Sequence, residues 1–347
     1  MRLQIVPESF LDRVALTFNL VPLPLGDTQI AFNTARAIMA ASVLGVFDAI
    51  GKEPLTAEDV AARCNLHPGA TKQLLHCLTA VHYAHYANGK FSLPKRLAKW
   101  LLRSSPTSVA DKLEFQLIEW NWMASLEDFV RTGKPLDFHA HMTPYEWSMY
   151  QKGMRDMSAT IAEQVGKKLK LPHGAERMLD VGGAHGLYSA ALVKKHPKLT
   201  STILELPGAI EQASQIVAQQ GLGDRVKHRA GNVLSDDIGT GEWDVVFISN
   251  VVHHFNVEQN EALAKKVWNA LKPGGLYVIG EFIRADEPGG GGAVGATSDL
   301  YFALTSASGT WSRPEIVGWM EKAGFRVERT LTYVGIPYVS VVGKKDR

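Results

Sequence analysis

One short stretch constrains this chain more than any other. Met178-Leu179-Asp180-Val181 is apolar and β-prone, and Gly182-Gly183-Ala184-His185-Gly186 follows as a glycine-rich turn. The next residues, 187–195, have the pattern of a helix. A strand, a glycine turn and a helix in succession make a nucleotide-binding turn. Glycines let the backbone approach a ligand closely, and the helix N-terminus offers N–H groups with no partner inside the helix. Dehydrogenases share such a turn, but glycines at 182, 183 and 186 do not fit G-x-G-x-x-G. Asp180, just before them, can order the turn or face a cationic amino acid.

The rest of the C-terminal half repeats the alternation. Strands are read at 202–205, 226–230, 243–249 and 276–281, and helices at 208–219, 258–271 and 314–323. Runs 326–334 and 338–344 flank Gly335-Ile336-Pro337 and read as a terminal hairpin. Strands alternating with helices predict a doubly wound, Rossmann-like α/β sheet with this antiparallel hairpin on its edge. Pro288-Gly289-Gly290-Gly291-Gly292 reads as a tolerant surface loop, with a lid over the end of the fifth strand as the functional alternative.

Residues 28–170 read as almost wholly helical. Residues 35–50 are small and apolar and predict one buried helix, in a core or a dimer interface. Thr56 and Asp59 have the spacing of a capping box for a helix over 57–63. A turn at 67–70 and a helix over 71–81 come next, then two short β-prone runs around Asn88-Gly89, a tight-hairpin signal. Helix, turn, helix and hairpin make a winged helix. DNA binding is therefore weighed, but the recognition helix carries only Lys72 and little other positive charge. The basic residues Lys90, Lys95, Arg96, Lys99 and Arg103 sit in the wing region, and the net charge is only +2. Cys64 and Cys77 are the two cysteines, and both read as small helical hydrophobes rather than a disulfide. The N-terminus has no signal pattern and no run of about 18 apolar residues occurs, so a cytoplasmic protein is expected. No metal-ligand spacing is present, and metal-independent activity is expected.

At the ligand edge, Glu205 ends the second strand, where a carboxylate can accept two ribose hydroxyls. Asn232 follows the third strand and can pair with an adenine edge or close an Asx turn.

These residues resemble the acetylserotonin and caffeate O-methyltransferase-like family along nearly the whole chain. Residues 150–158 resemble F-N-K-G-M-x-x-x-S, and residues 180–186 resemble D-V-G-G-G-x-G with Ala184 in place of glycine. Leu204-Glu205-Leu206-Pro207 is similar to a D-L-P motif, and Gly231-Asn232-Val233 to G-D-M/F. Val252-His253-His254-Phe255 resembles L-H-D-W, whose histidine is the family's base, and Glu281 stands where the family has an acid that orients it. Two departures stand out. Thr310 occupies the position of a second orienting acid in G-x-E-R-T, and Ser249 that of a cofactor-proximal Lys or Arg.

The resemblance implies an S-adenosylmethionine-dependent methyltransferase that releases S-adenosylhomocysteine. The implied cofactor residues are Asp180, Gly182, Gly183, Gly186, Glu205, Leu206, Asn232, Val233, Ser249 and Ser158. His253 is the implied base, with Glu281 as its support. A small aromatic hydroxyl is the expected acceptor, in a pocket of Trp120, Trp122, Met123, Tyr150, Met154, Met157, His254, Tyr301 and Thr305. The missing acid at 310 leaves an N- or S-acceptor open, and a binding protein that has lost methyl transfer is a further alternative. The expected organisation is a homodimer. Residues 1–110 form its winged-helix dimerisation domain, 111–170 an acceptor-pocket region and 171–347 the cofactor domain.

Overall fold

The computed structural model describes residues 5–139, 141–290, 292–306, 308–335 and 337–346. Met1 to Gln4 of the N-terminal stretch, Gly291 of the glycine loop and Ile336 of the terminal hairpin lie outside the described residues. The chain forms two compact units, one up to Ile118 and one from Glu119 onward.

The first unit is built from short helices: α1 (Phe10–Thr17), α2 (Leu23–Leu25), a π-helical turn over Gly26–Ile30, α3 (Ala31–Val43), α4 (Val46–Lys52), α5 (Ala57–Cys64) and α6 (Pro68–Ala80). The hairpin β1 (His85–Ala87) and β2 (Lys90–Ser92) and then α7 (Lys95–Leu101) complete it, and α8 (Ala110–Met123) runs on into the second unit. The single helix expected over 35–50 is two helices. The chain turns at Gly45, which adopts φ +73, a left-handed conformation that ends α3 and starts α4. The turn expected at 67–70 is instead the start of α6. The His67 Nδ1 accepts the Ala70 N–H at 3.3 Å as an N-cap, and Pro68 occupies the first helical position. The capping box on α5 forms, with Asp59 N–H donating to Thr56 Oγ1 at 3.1 Å. Asn88 and Gly89 both have positive φ, so the wing closes on a two-residue primed turn. Val46, Phe47, Ile50, Val60, Leu75, Leu78 and Phe91 are its core. Cys64 and Cys77 are free thiols.

The second unit opens with α9 (Leu126–Thr132) and the long α10 (Pro144–Lys168). Then come β3 (Arg177–Val181), α11 (Leu187–Lys195), β4 (Thr200–Glu205), α12 (Pro207–Ala218), β5 (Val226–Ala230) and β6 (Trp243–Ser249). It ends with α13 (Val257–Ala270), β7 (Leu271–Phe282), α14 (Gly292–Thr305), α15 (Arg313–Lys322), β8 (Arg326–Thr332) and β9 (Tyr338–Lys344). The sheet order is β5-β4-β3-β6-β7-β9-β8. The first five strands are parallel, and β9 enters antiparallel between β7 and β8. β7 begins at Leu271 rather than 276, because Leu271 pairs with Trp243 before the ladder shifts register.

Strand β6 shows why the sheet is doubly wound. Its side chains alternate between faces, and both faces are covered. Val245 and Phe247 pack with Ile161, Val165 and Leu192 from α10 and α11. Val246 and Ile248 pack with Leu263, Val267 and Ile316 from α13 and α15. No single helix among the described residues is long and apolar enough to cross a membrane. Only the bent pair of Leu23–Val43 and Val46–Lys52, at 69°, passes that test jointly.

The insertion of β9 depends on one glycine. The Ser249 and Tyr338 hydroxyls bond at 2.7 Å, from β6 to β9 across β7, and a Cβ on Gly280 would collide with the Tyr338 hydroxyl. Gly280→Ala is expected to cost about 1–3 kcal/mol through overpacking. Urea denaturation measures it, and an unchanged midpoint would contradict this packing.

Candidate active site

Four parallel strands deliver the ends of β3, β4, β5 and β6 to one edge of the sheet, the edge on which ligands bind in open α/β folds. A cavity of about 200 Å³ lies there within the second unit. One side is lined by Gly182, Ala184, Glu205, Leu206, Asn232 and Val233, and the other by His139, Trp147, Tyr150, Gln151 and His254.

The glycine turn is held by side chains. Gly182 adopts φ +62, and a Cβ there would meet Val251. Ala184, where the family has glycine, adopts φ +44, a conformation an L-residue takes only when held. Its N–H donates to Glu205 Oε2 at 3.0 Å, and its carbonyl accepts from His228 Nε2 at 2.8 Å. Glu205 Oε1 accepts the Leu206 N–H at 2.8 Å. Burial raises the Glu205 carboxyl, and these two N–H bonds oppose the rise. Asp180 is fully buried beneath the turn, and Ser189 Oγ donates to its Oδ2 at 2.5 Å. Burial pushes Asp180 up to about 7 despite that bond. His185, also in the turn, accepts the Leu187 N–H on Nδ1 at 3.2 Å. Its Nε2 therefore carries the proton and donates to Ser158 Oγ of α10 at 3.1 Å. Burial pushes His185 down to about 3, so the ring is neutral and α10 is tied to the turn.

The histidines follow β6. Val252–His254 forms a 3₁₀ turn, and Asn256 caps the helix behind it. His253 Nδ1 lies 3.1 Å from both Glu281 oxygens. A carboxylate only accepts, so Nδ1 carries a proton, and in the neutral imidazole Nε2 is then the atom with the lone pair. Both groups are buried, and the Phe302 ring lies 4.0 Å from that of His253. His254 bonds Ser306 Oγ through Nδ1 at 2.9 Å. Burial, then the neighbouring His253 and His139, holds it well below the usual histidine range. Thr310 leaves the histidines alone: its N–H and hydroxyl both donate to Asp299 Oδ1, at 2.8 and 2.6 Å. Among the described residues no group of three His, Cys, Asp or Glu is placed to hold a metal ion.

Beside His253 and Glu281, the expected site residues fall into three sets. Gly182, Glu205, Leu206, Asn232, Val233, Tyr150 and His254 line the cavity. Asp180, Gly183, Gly186, Ser158 and Ser249 support it from behind: Gly183 stands over the Asp180 carboxyl, Gly186 starts α11, and Ser249 is committed to Tyr338. Asn232 Oδ1 accepts the Leu234 N–H at 2.9 Å, closing the Asx turn. The remaining acceptor-side residues do not line the cavity. Met154 and Met157 share a helical stripe with Tyr150, one and two turns along α10, but do not line the cavity. Met157 and Met123 are 38% and 37% exposed. Trp120 is half-buried off the cavity, and Trp122 packs on Phe138 with ring centroids 4.3 Å apart. Tyr301 donates to Glu119 at 2.6 Å, and Thr305 bonds back to the Tyr301 carbonyl at 2.8 Å. Sequence reasoning missed His139, Trp147, Gln151 and Asn250. Asn250, directly after β6 with φ +54, had a positional signal, and Gln151 stands in the 150–158 motif; His139 and Trp147 had none. Gln151 Oε1 and Asn250 Oδ1 are buried without a partner. Such acceptors on a cavity wall suit an occupant rich in donors, and the amino group, ribose hydroxyls and adenine amine of S-adenosylmethionine are donors.

The fold and this edge define a Rossmann-like methyltransferase with a separate helical N-terminal unit. The O-methyltransferase domain family matches residues 127–326, and the O-methyltransferase dimerisation domain matches residues 27–104. The chain belongs to the O-methyltransferase family and uses S-adenosylmethionine. It is 28% identical to the mitomycin biosynthesis 6-O-methyltransferase of Streptomyces lavendulae, over 86% of this chain and 87% of that one. It is also 28% identical to the L-tyrosine C(3)-methyltransferase of the same organism, over 83% and 82%. Its fold matches human N-acetylserotonin methyltransferase in complex with S-adenosylmethionine at a TM-score of 0.84 and 19% identity, covering 99% and 100% of the two chains.

Two measurements test this account of the turn. Ala184→Gly removes left-handed strain and is expected to stabilise the protein by about 1 kcal/mol in denaturant titrations; a loss of stability would mean that the alanine is unstrained. The folded-state pKa of Asp180 lies above its unfolded value, so folding takes up a proton between about pH 4 and pH 7. Its contribution therefore favours the fold at low pH and fades as pH rises through that window. The wild-type stability minus that of Asp180→Asn should fall across the window, and a flat difference would contradict the assignment.

Proposed function

We propose that this enzyme methylates a hydroxyl of a small aromatic molecule, with His253 as the base and Glu281 as its positioning residue. The observation that carries the reading is the buried pair itself, with Nδ1 held 3.1 Å from both carboxylate oxygens and Nε2 left as the basic atom. S-adenosylmethionine supplies a methyl group already activated by its sulfonium. The protein's own work is then to position the acceptor and take up its proton. Glu281 fixes the tautomer of His253 and favours the imidazolium that forms when Nε2 gains that proton.

The cofactor contacts we assign are Gly182, Glu205, Leu206, Asn232 and Val233 on the cavity wall, with Asp180, Gly183, Gly186, Ser158 and Ser249 shaping it. Acceptor contacts are assigned to Tyr150 and His254, joined by His139, Trp147 and Gln151. Residues 111–170 thus act as an acceptor region between a dimerisation domain over 1–110 and a cofactor domain over 171–347. The working state is a homodimer. The dimerisation-domain match and the exposed apolar residues Phe10, Leu11, Phe18 and Leu20 support it. A place in secondary metabolism, with a cytoplasmic location proposed beside it, fits a relative named for mitomycin biosynthesis.

His253→Ala is expected to lower kcat by 10²- to 10⁴-fold, the usual range for a general base, while calorimetric affinity for S-adenosylhomocysteine stays unchanged. Glu281→Gln should cost less. Near-normal turnover in both variants would remove His253 from the mechanism.

A further inference from the structure

His253 rides on a single 3₁₀ turn, Val252–His254. One such turn makes few hydrogen bonds, and their geometry is poor, so by itself it holds a side chain weakly. Its own bonds here run from the His254 N–H to the Val251 carbonyl at 2.9 Å and from the Phe255 N–H to the Val252 carbonyl at 3.2 Å. Two buried side chains add to them. Asn260 of α13 is 2% exposed, and its Nδ2 donates to the carbonyls of Val252 at 3.0 Å, Phe255 at 3.1 Å and Asn256 at 3.1 Å. The indole N–H of Trp311 donates to the same Val252 carbonyl at 2.9 Å. That carbonyl belongs to the peptide unit that joins Val252 to His253. Asn260 Oδ1, by contrast, is buried with no partner among the described residues. An unpaired buried acceptor is costly, and an apolar side chain of the same shape would avoid the cost. What the amide supplies instead is donors for the turn that carries His253.

Trp311 also reaches the segment that holds the carboxylate. Its backbone bridges Ile283, two residues after Glu281, and its carbonyl accepts the Arg284 N–H at 3.3 Å. Its ring is held edge-on against Trp319, with centroids 5.0 Å apart at 83°. One residue therefore ties the end of β7, which carries Glu281, to the turn that carries His253. We propose that Asn260 and Trp311 are positioning residues for the base. They clamp the Val252 carbonyl from two elements, α13 and the segment before α15, and so keep the His253 ring on Glu281. The proposal rests on His253 as the base. Thr310, where the family pattern has a second acid, is spent on Asp299, and the residue next to it supplies a bond to the turn. Because the clamp grips the backbone, it fixes the ring's place without adding a charge beside it.

The test uses the full-length enzyme, isotopically labelled in its histidines and read by NMR. The proton on His253 Nδ1 should give a slowly exchanging signal that His253→Ala removes and Glu281→Gln displaces. The His185 Nε2 proton, held by Ser158 at the glycine turn, is the reference. Trp311→Phe keeps an aromatic ring against Trp319, Asn260→Leu keeps the side-chain volume, and each removes the donor. In the double variant, exchange of the His253 proton with water should rise by about tenfold, with the single variants between and the His185 proton within about twofold of wild type. Calorimetric affinity for S-adenosylhomocysteine should stay unchanged, because neither residue lines the cavity. Unchanged exchange in the double variant, or equal acceleration of both protons, would overturn the clamp. If the double variant does not fold, the single variants carry the same comparison. Absence of the His253 signal in wild type, or its persistence unmoved in Glu281→Gln, would mean that the pair itself does not form. The reading of the base would then fall and take the clamp with it, so the two failures are distinguishable.

Discussion

The site depends on strands that run the same way. Because β3, β4, β5 and β6 are parallel, each leaves the sheet at the same edge, and every exit carries a polar residue with work to do. Glu205 at the end of β4 binds the backbone of the glycine turn after β3. Asn232 closes the turn after β5, and the histidines follow β6. An antiparallel arrangement would divide these groups between two edges. The helices that the parallel crossovers require also bury both faces of the sheet, which makes the edge rigid enough to hold an alanine at φ +44.

That rigidity is bought with buried polar groups. Asp180, His185, Glu205, His253 and Glu281 all lie below a tenth exposed, yet each has a partner of matching chemistry. A buried charge is expensive, and a buried pair that fixes one geometry can repay that cost as positioning. His253 and Glu281 are such a pair. Thr310 shows the converse. The position that holds an acid in the family pattern is given over to fixing α14 through Asp299, and among the described residues it is Glu281, not Thr310, that meets the His253 ring.

The two sides of the cavity are constructed differently. Turns after strands supply one wall, whereas α10 and the loop before it supply Trp147, Tyr150, Gln151 and His139 on the other. Such segments can vary in sequence without disturbing the sheet. Relatives equally similar to this chain are named for methylation at oxygen and at carbon.

The sequence by itself determined the sheet, the glycine turn and the edge residues, because these follow from local rules. Period-two apolar runs, glycines at positive φ and polar residues directly after strands all act within a few residues of themselves. Thus α11, β5, β6 and β9 fall where the pattern puts them. The break at Gly45 was not legible, because an apolar stretch of small residues reads as one helix until a left-handed residue turns it. The acceptor wall was legible only in part. Tyr150, Met154 and Met157 share one stripe, but only the packing around α10 decides that Tyr150 lines the cavity and the two methionines do not. His139 sits more than a hundred residues from His254, in a loop with no period to read, and only tertiary packing on Trp147 and Tyr150 brings its ring to the same cavity. Contacts of that separation are set by how whole elements stack, and no local pattern records them.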